Sequence, residues 1–380
     1  MREQDRNERV ERRERRGFFG RLIVGLLTFF ALIGLVAMAL SVSSSYIDPM
    51  KFVWASFFGL AFWEILLFNV LILTLLVLMW SRKAWIAVLA LLIAVPGILR
   101  SYSNGKPREG GDIRIMSYNV RIFKDLYDSK KDASDVANGI VSMVRENHPD
   151  VLCIQEFGYF LSKKGRPELI RIFGDLTEMP YHYYHKKAYF GGNVIYSKYP
   201  ISAISDDTHF GKENDYGAVA QIDAGKKGKF LVVCSHLTSF KLTQEEISVL
   251  SEPGNSKEAV QEYGKSIVVK LRNAYRQRSL QVNQLLADIP HDGRAILLCG
   301  DFNDTPLSYT YHQIKKAGFI DGFVETGKGI GHTYAGKLPL LRIDYIWCND
   351  QVQPMKFKRL RFKGSDHYPV MLDFKLSHGI

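Results

Sequence analysis

Two hydrophobic rhythms divide the chain. Through residue 100 the apolar positions fall in long, nearly unbroken runs: FFGRLIVGLLTFFALIGLVAMAL at 18–40, FVWASFFGLAFWEILLFNVLILTLLVLMW at 52–80 and AWIAVLALLIAVPGIL at 84–99. A helix needs ~20 apolar residues to cross a bilayer, so the first two runs predict membrane helices and the third, though short, predicts another. A cleaved signal peptide explains the first run less well, because its apolar core is too long and two more runs follow. Residues 101–112, SYSNGKPREGGD, are rich in Gly, Ser and charge and read as a linker.

From residue 113 the rhythm shortens. IRIMSYNV, VLCIQE, NVIYS, FLVVCSH, AILLCGD, IDYIWC and YPVMLDF have the length and β-branched content of strands. Helical spacing lies between some of them, in ASDVANGIVSMVREN and in residues 264–288. Strands mixed with helices predict α/β layers, in an order too irregular for a βαβ barrel. The plan is therefore a basic tail at 1–17, three transmembrane helices within 18–100, the linker at 101–112 and one soluble domain at 113–380.

Composition and charge then orient this plan. With 380 residues and 47% hydrophobic content, the chain can build one or two domains with a substantial core. Eight arginines precede or enter the first apolar run, and Arg82 and Lys83 sit in the second connection, whereas the first connection holds only Lys51. Positive charge marks the cytoplasmic side, so the N-terminus is expected there and everything after Arg100 across the inner (plasma) membrane, which is the periplasm in a bacterium with two membranes. The net charge of +11 permits a phosphate-bearing ligand without demanding nucleic acid. Glu64 lies near the outer end of the second run and reads as a snorkelling side chain rather than a relay. Cys153, Cys234, Cys299 and Cys348 each sit inside an apolar strand run and in no zinc spacing, which predicts buried thiols.

The strand ends carry the candidate chemistry. Four apolar runs finish in polar side chains: Asn119, Glu156, His236 and Asp301, with Asn303 two residues on. Asp344 and His367 instead stand at the starts of their strands, and Asp366 precedes His367. If those two strands run antiparallel to the other four, all these groups reach one rim of the sheet. Any one of them alone has a plain explanation, since Gly-Ser-Asp and Asp-Phe-Asn-Asp are ordinary turn chemistry. Gathered together, hard oxygen donors favour Mg²⁺, Mn²⁺ or Ca²⁺ over zinc. Histidines beside them can donate hydrogen bonds to phosphoryl oxygens, and an aspartate partner fixes a histidine tautomer. The sum points to metal-assisted hydrolysis of a phosphoester.

Seven motifs in order, MSYNV, DVLCIQE, GGNVIYSKYPI, CSHL, GDFND, RIDYIW and GSDHYPV, resemble the endonuclease/exonuclease/phosphatase superfamily over residues 113–380. The resemblance implies a four-layer α/β/β/α sandwich of the DNase I-like kind with its site at one end. It also implies Mg²⁺ or Mn²⁺, one or two ions, with Asn119, Glu156 and Asp366 on the metal side. His236 resembles the histidine that contacts the scissile phosphate, Asp301 the residue that activates or orients the attacking water, and Asn303 its helper. Asp344 resembles the orienting partner of His367. Two departures stand out. Abasic-site endonucleases carry an acid where this chain has Arg121, and a tyrosine directly before the glycine of the third motif, where this chain has Gly191-Gly192 with Tyr189 nearby.

The expected function is a membrane-tethered, divalent-metal-dependent phosphoesterase acting by in-line water attack on a phosphodiester or phosphomonoester. Its substrate is nuclease-like or the head group of a phospholipid or sphingolipid, and the tether favours lipid by raising effective concentration at the bilayer. The polar segment 238–266 is expected to set substrate choice. A catalytically inert receptor or scaffold is the alternative, and the intact motif residues speak against it.

Overall fold

The computed structural model describes residues 2–124, 133–158, 166–184, 192–203, 217–251, 256–290, 292–338 and 340–377. It divides into two compact units, Met1–Leu99 and Arg100–Ile380.

In the first unit, Gly17–Tyr46 and Ala84–Ser101 are long and apolar enough to cross a membrane. The run expected as the second span is broken. Trp54–Leu60 and Phe62–Leu78 meet at a 66° bend, so a third span exists only if this pair counts as one. The longer piece has 17 residues, about 25 Å of helix, short of the ~30 Å hydrocarbon core. Periodicity does not reveal such a bend, because the residues on both sides of it are predominantly apolar. Asn69 is buried in this unit and donates through Nδ2 to the Gly34 carbonyl at 3.1 Å. Gly34 leaves room for it, since a Cβ there would lie 2.5 Å from the Asn69 Oδ1. This polar clasp between apolar helices is the kind of contact that specifies helix pairing in a bilayer.

The second unit contains fourteen strands among the described residues. In chain order they are β1 (Tyr102–Asn104), β2 (Ile113–Asn119), β3 (Val151–Phe157), β4 (Tyr181–Tyr184), β5 (Gly192–Ser197), β6 (Ile201–Ala203) and β7 (Gly217–Asp223). They continue with β8 (Lys229–His236), β9 (Ala295–Asp301), β10 (Ile320–Asp321), β11 (Lys328–Ile330), β12 (Asp344–Cys348), β13 (Val352–Arg359) and β14 (Val370–Leu376). One six-stranded sheet has the order β13-β14-β2-β3-β5-β4, the other β10-β12-β9-β8-β7-β6. β1 pairs with β11 alone, and Ser103 hydrogen-bonds to the Val324 and Gly327 carbonyls, so this part of the stretch expected as a linker is a strand.

The core explains the layering. Ile115, Cys153 and Ile195 from the first sheet meet Ala220, Val232 and Leu297 from the second, all buried in one apolar cluster. The outer face of the first sheet takes helix Ala133–Asn147, whose Val136, Ile140, Val141 and Val144 form a stripe at helical spacing. The outer face of the second packs Leu231, Val233 and Leu298 against Val282 and Leu285 of helix Lys257–Asp288. The result is the expected α/β/β/α sandwich. All four cysteines are buried and unbridged in the cluster between the sheets.

Candidate active site

Strand polarity decides where the polar ends fall. β2 runs parallel to β3, and β8 parallel to β9. β14 lies antiparallel to β2, and β12 antiparallel to β9 with Asp344 opposite Asp301. Residues that end the first four strands and those that begin the last two therefore share one end of the sandwich, where the two sheets meet.

Local backbone devices aim the side chains. The β3–β5 register shifts between Ile154 and Phe157, and Glu156 takes a left-handed φ of 53°. Such a bulge turns a side chain away from the regular alternation, and here it points Glu156 at the site. Gly300 sits opposite Ser235 with φ of +144°, where a Cβ would meet the Ser235 carbonyl oxygen at 1.9 Å. Only glycine lets β8 and β9 close at that point and deliver His236 and Asp301 as neighbours. Asn303, also left-handed at φ 53°, donates its backbone N–H to Asp301 Oδ1 at 2.8 Å.

The side chains then form one network. Asn119 Nδ2 donates to Glu156 Oε1 at 3.1 Å and to Asp301 Oδ2 at 3.0 Å. Asn303 Nδ2 donates to the same Asp301 oxygen at 3.1 Å and to the Leu237 carbonyl at 2.9 Å. His236 Nε2 lies 3.5 Å from Glu156 and 3.7 Å from Asp301, buried and without a hydrogen-bond partner. His367 Nδ1 is 2.9 Å from Asp344 Oδ2, while its Nε2 faces Asp301 at 3.6 Å. Seven of the eight expected residues thus join in direct contacts. The eighth, Asp366, stands at the edge, 3.5 Å from Arg121 Nε and 4.0 Å from His367 Nε2.

Electrostatics at the site follow from burial and neighbours. Burial alone would depress His367, but Asp344 and Asp301 outweigh it and hold the imidazole protonated well above its ordinary range. Burial raises the Asp301 carboxyl, opposed chiefly by His367. Tyr334 packs edge-on against His367 at 5.8 Å, and burial, reinforced by Asp366, pushes its hydroxyl up to about 12.

The donor set suits a hard divalent cation. Glu156 and Asp301 present carboxylate oxygens on one side of the site, where the Asn119 amide donates to both from Nδ2, and Asp301, Asp344 and His367 each place a ligand-capable atom within 4.8 Å of the others. A buried His236 nitrogen with no partner, facing two carboxylates, is the mark of a group that belongs between them.

A cavity of about 550 Å³ opens beside this network. Arg121, Glu156, Asp301, Asn303, Asp366 and His367 form its floor. Its walls come from two segments: one within Ser239–Ile247, in the stretch expected to set substrate choice, and the other Tyr334–Leu338 with Leu341 and Ile343. Sequence reasoning missed the second wall and the anchor of the first. That anchor is Arg278, fully buried, which donates to the Thr238 carbonyl and Asp304 and lies 4.5 Å from the Phe240 ring. Its only trace in the sequence is a charge on the apolar face of a long helix. Tyr189 and Gly191, which mark the departure in the third motif, lie outside the described residues.

Fold and site together define a hydrolase of phosphoester bonds built on a DNase I-like sandwich. The sequence model of the Endonuclease/Exonuclease/phosphatase family matches residues 116–367, and the chain belongs to that family of metal-dependent phosphoesterases and nucleases. A model of a domain of unknown function matches residues 24–101. Among solved structures, the human Nocturnin catalytic domain with bound sulfate is similar at 16% identity, covering 72% of this chain and 96% of that one with a TM-score of 0.48. An endonuclease/exonuclease/phosphatase from Beutenbergia cavernae shares 16% identity over 70% of this chain and 72% of that one, with a TM-score of 0.46. The Bacteroides thetaiotaomicron mannosyl-6-phosphatase shares 15% over 69% and 99%, with a TM-score of 0.42. These likenesses are too distant to carry a substrate across. No curated protein matches the chain.

Proposed function

We propose that the protein is a membrane-tethered phosphoesterase that hydrolyses a phosphodiester or phosphomonoester by in-line attack of water, with Mg²⁺ or Mn²⁺. The observation that carries this reading is the single network joining Asn119, Glu156, His236, Asp301, Asn303, Asp344 and His367 across both sheets. Asn119 and Glu156, with Asp301 beside them, would hold the cation, which supplies positive charge to the phosphoryl oxygens.

The protein groups divide the remaining work. Asp301, buried with a raised pKa, orients the water and takes its proton. Asn303 fixes the Asp301 carboxylate through two hydrogen bonds. His367 donates from Nε2 toward the reacting oxygen as charge develops there, and Asp344 holds its Nδ1 proton and its orientation. His236 offers its partnerless Nε2 to the same phosphoryl group. Asp366, beside Arg121, serves in this reading as a counter-ion rather than a metal ligand.

The apolar helices at Gly17–Tyr46 and Ala84–Ser101 support the tether, and the arginine-rich N-terminus, with the bent pair Trp54–Leu60 and Phe62–Leu78 taken as the third crossing, supports a catalytic unit on the extracytoplasmic side. Of the two substrate readings, nuclease-like or phospholipid and sphingolipid, the tether supports lipid. The test uses the full chain in detergent with Mg²⁺ or Mn²⁺. It is expected to release p-nitrophenol from p-nitrophenyl phosphate or its bis ester, EDTA to stop the release and added metal to restore it. Absence of release under every metal condition defeats the reading.

A further inference from the structure

The catalytic network accounts for one phosphoryl group, yet the cavity beside it holds cations that this group does not need. Arg121 reaches the floor of the cavity from an unusual turn: Arg121, Ile122 and Phe123 have φ of 48°, 55° and 58°, three successive left-handed residues without a glycine. Strained backbone of this kind persists where surrounding structure fixes it, and it gathers at functional sites. The fixing is visible here. Val120 and Phe123 are fully buried on either side, Asn119 Oδ1 accepts the Arg121 N–H at 3.0 Å, and Gly158 leaves the space that Ile122 occupies.

The guanidinium is therefore placed, not trailing. Asp366 lies between it and the catalytic imidazole, 3.5 Å from Arg121 Nε and 4.0 Å from His367 Nε2. Arg121 is thus held one carboxylate away from where the phosphoryl group reacts, at the distance of a neighbouring group on the same substrate. Two lysines line the same cavity, Lys241 and Lys337. Lys241 has a left-handed φ of 52° and no hydrogen-bond or ion-pair partner among the described residues.

The rest of the lining says what carries the charge. Leu242, Ile247, Leu338, Leu341 and Ile343 are aliphatic. Two aromatic residues also line it: Phe240 already has Arg278 over its ring and Tyr275 edge-on at 5.4 Å, and Tyr334 packs edge-on against His367 at 5.8 Å. Bases of a nucleic-acid strand need exposed aromatic faces to stack on, whereas a hydrocarbon body needs only an aliphatic wall. We propose that this cavity is a subsite for a second anionic group, clamped by Arg121 with Lys241 and Lys337. The enzyme then acts on an amphiphile bearing two neighbouring anions, one of which is the phosphoryl group removed. Asp366 is the positioning residue for Arg121. The proposal rests on the phosphoesterase reading and narrows its substrate.

The test compares substrates that differ by one feature, using the full chain in detergent with Mg²⁺ or Mn²⁺ and phosphate release as the signal. Farnesyl diphosphate against farnesyl monophosphate isolates the second anion, and farnesyl diphosphate against inorganic pyrophosphate isolates the hydrocarbon. Kcat/KM is expected to favour farnesyl diphosphate in both pairs. A charge-assisted hydrogen bond is worth about tenfold to a hundredfold, so Arg121→Gln should cut the diphosphate-to-monophosphate ratio by at least about tenfold, with Arg121→Lys recovering part of it. Leu242→Asp should cut the preference over pyrophosphate. Calorimetry with dodecyl methylenebisphosphonate, which cannot be cleaved between its phosphorus atoms, should show at least about tenfold weaker binding to the Arg121→Gln chain. A ratio unchanged by Arg121→Gln, a wild-type preference for the monophosphate, or faster cleavage of a single-stranded oligonucleotide overturns the proposal. Failure to hydrolyse even p-nitrophenyl phosphate, with the bisphosphonate still bound through Arg121, overturns the phosphoesterase reading and leaves the subsite standing.

Discussion

His367 sits between two buried carboxylates and pays for its own burial through them. Its imidazole is protonated well above the ordinary range because Asp344 and Asp301 outweigh desolvation. A group whose folded pKa is raised stabilises the fold below its unfolded pKa, ~6.5 for histidine, and that contribution disappears as pH rises through the folded value. Asp344→Asn removes the larger of the two opposing charges, so the His367 pKa should drop. Imidazole NMR on the EDTA-treated protein in detergent reads this directly, and an unchanged titration would show that Asp344 does not set the charge. The same imidazole is assigned a transition-state hydrogen bond, whose loss lowers rates by on the order of 10²–10³. His367→Ala should lose at least that much turnover while remaining folded by circular dichroism, with a lowered melting temperature because Asp344 and Asp301 lose their counter-charge; full activity in this variant would remove the residue from the mechanism. At this scale the sequence was most informative about which side chains gather. It said less about how they pair: Asp366, expected on the metal side, faces Arg121.

Elements are positioned by strand polarity and by backbone exceptions. The seven expected strand runs are all strands, with helix 133–147 in the expected place, because buried strands and amphipathic helices write their burial into short hydrophobic patterns. The strands that went unseen are of three kinds. β7 is built largely of small residues, GAVAQID, and β1, β4, β6, β10 and β11 are only two to four residues long. β13 carries Pro354 at a register shift on an edge, where proline is tolerated. Gly300 is the element-scale exception with the sharpest consequence. Gly300→Ala forces a Cβ into the Ser235 carbonyl at a left-handed position, so β8 and β9 must separate just where they deliver His236 and Asp301. Backbone strain of this kind is worth about 1–3 kcal/mol before the clash is counted. The variant should melt several degrees lower and lose activity together, by differential scanning fluorimetry and p-nitrophenyl phosphate turnover. A stable, fully active variant would show that the strands close without this glycine.

At the scale of the whole molecule, the chain joins an apolar N-terminal unit to a phosphoesterase unit. A reporter that is active only in the periplasm, fused after Gly111 in a bacterium with two membranes, should be active; activity of a cytoplasm-only reporter at the same position would reverse the orientation. By itself the sequence showed the family through its ordered motifs, the resemblance implied the layer order, and the strand ends named the polar side chains that the structure brings together, since burial patterns and motif residues are local signals that survive without coordinates. It also determined that the N-terminal unit is apolar. Only the tertiary structure decided that the second apolar run is bent, that Glu156 is turned inward by a bulge, and that Arg121, Lys241 and Lys337 share a cavity with an aliphatic wall. The physical reason is the same in each case. A bend inside an apolar run leaves composition unchanged, and a cavity is made by residues far apart in sequence whose meeting depends on how two sheets pack.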